Sequence, residues 1–127
     1  MKIAALIARI LLGLVFTVFG LNGFLGFIPQ PPLPPGPAGQ FLAALFASHF
    51  VYLIAAVQVV SGVLLLVNRY VPLALVLLGP MLVNILAYHL LMNRMGLAVA
   101  LVVTILWCLL AYRHRQHLTC LFVQRAE

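Results

Sequence analysis

Six side chains able to hydrogen-bond or carry a proton stand inside otherwise apolar stretches: Asn22, His49, Tyr52, Asn84, Tyr88 and His89. Histidine titrates near neutrality and can pass protons, while asparagine and tyrosine donate hydrogen bonds to carbonyl oxygens. Such groups suit either hydrogen bonding between helices or a ligand or redox pocket. They are costly in hydrocarbon unless they face one another or a wet cavity. A second set, Arg9, Gly13, Phe16, Gly20 and Gly23, recurs at helical spacing and shares one face. Glycines so placed either let a neighbouring backbone approach closely or give a flat ligand a smooth wall, with Phe16 among them. Arg9 stays ionised even when partly buried, so it either anchors to lipid headgroups or balances an anionic ligand.

Other chemistries are missing. The sole acid is Glu127, which excludes a carboxylate proton relay within a membrane, acidic Mg²⁺ or Ca²⁺ sites, and a glycosidase carboxylate pair. Cys108 and Cys120 form no CxxC pair. His49 and His89, if at similar depth, invite a haem between two helices. Apart from Arg94, no arginine stands on that side for its propionates, so haem fits poorly. Two histidines without a nearby carboxylate or thiolate also fall short of a zinc set, and no metal site is assigned. His114 and His117 read as part of a headgroup-facing tail. Signatures of P-loop, dinucleotide, serine-hydrolase and zinc-protease sites are absent. The chain is not expected to be a self-contained enzyme.

The elements that must position these groups follow from composition. Of 127 residues, 66% are hydrophobic and 6% charged, against roughly 45–50% and 25% in soluble domains. So apolar a surface calls for lipid contact. The formal charge of +6 is scattered along the chain rather than gathered, which argues against nucleic acid. Four apolar runs, about residues 3–27, 41–67, 71–92 and 95–112, are each long enough to cross a bilayer with some tilt. Between the first two lies a loop, 28–40, in which six prolines rule out a helix through lipid. A basic tail, 113–127, follows the fourth run.

These features predict one all-α domain, an integral membrane up-down-up-down four-helix bundle. An even number of spans puts both termini on one side, together with Lys2, Arg9, Arg69, Arg113, Arg115 and Arg125; Arg94 alone stands opposite. Positive residues mark the cytoplasmic side, so the termini are expected there and the proline loop outside. On such a bundle the six polar groups fall in the outer half of the membrane. Asn84 and Tyr88 share a face, but His89 points about 140° away from Asn84 at 100° per residue. Gln58, Ser61 and Gly62 form a polar stripe in the inner half of the second run, which interhelical hydrogen bonds would satisfy.

Two stretches carry a family resemblance. ARILLGLVFTVFGLNGFLGFIP, residues 8–29, and GPMLVNILAYHLLMNRMGL, residues 79–97, resemble the first and third spans of DoxX proteins, small bacterial four-helix membrane proteins. The family's arginine, glycine, phenylalanine and glycine map to Arg9, Gly13, Phe16 and Gly20, and its proline, asparagine and histidine to Pro80, Asn84 and His89. The likeness runs from about residue 5 to 115. It implies residence in the bacterial cytoplasmic (inner) membrane and, by analogy with some relatives, a role as accessory subunit or quinone- or lipid-binding component in a membrane redox or detoxification system. Expected ligand contacts are Arg9, Gly13, Phe16, Gly20, His49, Asn84, Tyr88 and His89. Expected partners are membrane lipids, a redox protein and a second copy of the chain. A structural scaffold offering its glycine face to a partner, or a small transporter acting as an oligomer, are the alternatives.

Overall fold

A computed structural model describes residues 2–29 and 32–125. Gln30 and Pro31 of the proline loop, and the single acid Glu127, lie outside them. The described residues are helical with short connections: α1 (Lys2–Leu25), α2 (Pro37–Ala47), α3 (Phe50–Leu66), α4 (Val71–Leu91), α5 (Leu97–Arg113) and α6 (Arg115–Leu118), then a 3₁₀ turn at Thr119–Phe122. Helices α1 and α4 are long and apolar enough to cross a membrane. Up to four spans result if α2 with α3, and α5 with the segment after it, each count as one broken span.

The run 41–67, continuous on hydropathy alone, is thus not one straight helix. It breaks at Ser48-His49, where α2 and α3 meet at 84°. The Ser48 hydroxyl accepts from Phe50 N (3.3 Å) and lies 3.4 Å from the Leu45 carbonyl, to which it donates. These local bonds compete with the helical ladder. His49 takes a left-handed backbone, φ 63°, a region in which histidine is enriched among non-glycine residues. Helix formation also begins inside the loop predicted at 28–40: Gly36 turns with φ 76°, and Pro37 occupies the first turn of α2. Proline suits that position because its missing N–H would lack a helical partner anyway.

Small residues set the helix pairing. A Cβ on Gly62 would lie 2.6 Å from Thr17 N and 2.9 Å from the Gly13 carbonyl oxygen. One on Gly20 would meet Val59 N at 2.9 Å. Along this seam rising numbers on α1 meet falling numbers on α3, so the two helices are antiparallel. Arg9 completes it by donating from Nη1 to the carbonyls of Leu65 and Leu66, the latter at 3.3 Å. Both belong to the last turn of α3, the negative end of the helix, which favours a cation. Helices α4 and α5 pair antiparallel too: Trp107 on α5 donates to the Leu75 carbonyl of α4 (3.0 Å), and Gly96 meets His89 at the other end. That bond sits beside Val76, whose carbonyl Pro80 leaves without its usual donor. Leu12, Leu65, Leu75, Leu78 and Leu110 are fully buried between these pairs.

Candidate ligand site

Away from the glycine seam the helices stand apart. A cavity of about 500 Å³ opens between them, walled by Phe16 and Phe19 of α1, Leu42 and Phe46 of α2, Ile54 of α3, Ile85 of α4 and Val99 of α5. A second, of about 450 Å³, adjoins it and is lined by Phe41, Phe50, Met81, Asn84 and Tyr88. Leu42, Leu45, Ile54, Ile85 and His89 line both. Each volume lies within the roughly 300–1,000 Å³ usual for small-molecule sites. The break at Ser48-His49 positions one wall: by turning α2 across the end of α3, it brings Leu42, Leu45 and Phe46 over the space.

Three polar side chains enter the first cavity, Asn22, Gln58 and His89. Asn22 is only 9% exposed. Its Oδ1 accepts from Ile28 N at 2.8 Å; because a backbone N–H can only donate, this bond fixes the amide's orientation and leaves Nδ2 as a donor. Among the described residues no protein acceptor takes it. Gln58, one helix away, makes no side-chain hydrogen bond among the described residues either. His89 Nδ1 stands 3.1 Å from the Asn93 carbonyl. A carbonyl only accepts, so Nδ1 is the donor in this contact, and in the corresponding neutral tautomer Nε2 is left as an acceptor. Gly96 is needed beside that ring. Its φ is 84°, and a Cβ there would lie 3.1 Å from His89 Cε1, so glycine serves both the turn and the close approach.

The expected ligand residues divide into three groups. Phe16, Asn84, Tyr88 and His89 reach the cavities, Phe16 in the first, Asn84 and Tyr88 in the second, and His89 in both. The 140° between Asn84 and His89 does not separate them, because His89 stands on the wall shared by the two spaces. Tyr88 is held by Phe41 and by the edge of His89, with centroids 5.7 and 5.1 Å apart. Asn84 spends its amide on the Pro80 carbonyl at 3.0 Å. Arg9, Gly13 and Gly20 lie on the α3 seam and line neither cavity. His49 stands exposed at the α2–α3 break, stacked on Tyr52, which in turn stacks on Phe24 (centroids 5.6 Å in each pair); it does not share a cavity with His89. Of the inner polar stripe, Gly62 is in the seam and Ser61 is fully buried with no hydrogen-bond partner for its hydroxyl, so the expected interhelical bond is not made there.

Among the described residues Asn22 and Gln58 carry cavity-facing donors without a protein acceptor, yet neither ranks among the expected contacts. Their signal was the cost of an unpaired amide in an apolar run; what hid them was the break that opens the space they face.

The sequence profile of the DoxX family matches residues 4–91, from the start of α1 to the end of α4. That is shorter than the span of about 5–115 suggested by resemblance, and it leaves out α5 and the tail. No curated protein and no solved structure matches the chain.

Proposed function

The chain belongs to the DoxX family, and on that premise we propose that it is a ligand-holding accessory component of a membrane redox or detoxification system. Its ligand is a quinone-like or lipidic molecule seated in the paired cavities. The observation that carries this reading is Asn22, a residue nine-tenths buried at the wall of a 500 Å³ apolar cavity, whose Nδ2 finds no protein acceptor among the described residues. That donor opens onto the cavity rather than onto protein, so a ligand carbonyl there would accept from it. Gln58 offers a second donor, and His89 an acceptor for a hydroxyl. A quinone, when bound, would supply two-electron carrier chemistry; the side chains on these walls would hold and orient it, and electrons would come from a partner protein.

In this reading the helices form a four-span bundle with α2 folded against the outer end. Both termini face the cytoplasm in a bacterial inner membrane. The antiparallel α1–α3 and α4–α5 contacts support the alternation, and the six-to-one placement of positive residues supports the orientation. A scaffold working through its glycine face is disfavoured, because α3 already covers Gly13 and Gly20.

The test is the small-molecule content of the purified protein, read by mass spectrometry after detergent extraction. Wild-type protein is expected to retain a quinone or a defined lipid. Gln58→Leu should lower retention about tenfold, the loss of one good hydrogen bond, without lowering the thermal midpoint; His89→Leu should lower retention as much and, losing the Asn93 bond, also lower the midpoint modestly. Equal retention in all three proteins would overturn the assignment.

A further inference from the structure

The chain after α5 turns through 83° at His114, so that Arg115–Phe122 leaves the direction of the helix before it. Where α5 crosses a bilayer by itself, its 17 residues rising about 25 Å, at the short end of what spans, a segment turned by that angle runs along the membrane surface; this inference rests on the spanning reading given above. Leu118 tucks back against the hydrophobic core and ties the segment to the bundle. Leu121 and Phe122 remain 61% and 83% exposed, large apolar groups left uncovered among the described residues.

Charge at this end is one-sided. Arg113 and Arg115 flank the turn, and Arg115 is held with its guanidinium 4.3 Å over the Tyr112 ring and Nη1 2.9 Å from the Tyr112 carbonyl. Arg9 stands at the same end, beside the last turn of α3. Among the described residues no carboxylate is available to pair with them. Fixed positive charge beside exposed apolar side chains, on a short segment lying flat, is the combination that binds an anionic lipid surface: the arginines meet headgroup phosphates and the apolar groups enter the acyl boundary.

We propose that Arg115–Phe122 is an interfacial foot that seats the bundle on anionic phospholipid. Cys120, exposed within the foot, and Cys108, in the middle of α5, provide a native pair of reporters. The full chain is placed in nanodiscs of phosphatidylcholine alone or mixed with phosphatidylglycerol, and labelled with a membrane-impermeant maleimide. In the anionic discs Cys120 should react about 25-fold more slowly, since Arg113 and Arg115 near the surface each contribute roughly fivefold to the attraction. High salt should remove the difference, as should the double variant Arg113→Gln/Arg115→Gln. Inorganic phosphate added to phosphatidylcholine discs should protect nothing; protection by phosphate would mean a free-anion site and overturn the proposal. Equal Cys120 reactivity in both discs, with Cys108 still unlabelled, would overturn the foot while leaving the span in place. Labelling of Cys108 would overturn the span and the foot together.

Discussion

The two sides of α1 are built on opposite plans. Towards α3 it presents Gly13 and Gly20, and a Cβ on either would press on the backbone as well as the side chains of α3. Away from that seam it presents Val15, Phe16, Phe19 and Asn22, and the neighbouring helices enclose a cavity rather than close on it. Small residues bring two helices together because dispersion and close packing, not water, drive association in lipid. Bulky side chains opposite a broken helix hold the remaining helices apart. One helix thus serves as the rigid member of a tight pair and as one wall of a site, and a substitution should damage one plan without the other.

The seam should fail most severely. Gly62→Leu places a branched side chain where Thr17 N is 2.6 Å from even a Cβ, and α1 and α3 must part. Overpacking of this kind costs about 3 kcal/mol or more; helical circular dichroism in detergent should show a lowered thermal midpoint or no folded protein. Arg9→Met comes next. It removes the donors to the last carbonyls of α3 and should cost about 1–3 kcal/mol, with ligand retention per folded chain unchanged. Loss of ligand at intact stability would instead move Arg9 from the seam to the site.

The smallest effect is a pH dependence at the end of α5. Burial first, then His117, Arg113 and Arg9, hold the His114 pKa below its ordinary 6.5. The folded chain therefore binds that proton less readily than the unfolded chain. Stability contributed by neutral His114 is complete above about pH 6.5, falls as the pH drops through that value, and levels off below the native pKa. The thermal midpoint should decline from pH 7.5 towards pH 5, and His114→Gln should flatten the decline.

Much of this arrangement is legible in sequence. The face shared by Arg9, Gly13 and Gly20 is plain from helical spacing, because a close helix contact needs small residues at fixed intervals. What those residues touch is not, since a glycine face serves a helix or a flat ligand equally well. Asn84, Tyr88 and His89 are visible as polar groups too costly to leave in lipid. The break at Ser48-His49 is hidden because hydropathy stays high on both sides, and only a serine hydroxyl and one left-handed residue turn the chain. That one break displaces His49 from the site, carries Leu42, Leu45 and Phe46 over the cavity, and exposes the amides of Asn22 and Gln58 to it. Side-chain chemistry was readable residue by residue; the space it faces depends on a bend made by two residues.

The occupancy of that space is the central claim, and filling it is the most direct test. Ile54 lines both cavities, and Ile54→Trp puts an indole into them while leaving the Gly13–Gly62 seam untouched. Mass spectrometry of the purified variant should find the co-purifying quinone or lipid gone, with the thermal midpoint kept within a few degrees of wild type. Undiminished ligand in a folded Ile54→Trp protein would contradict the account, because whatever the chain holds would then lie elsewhere.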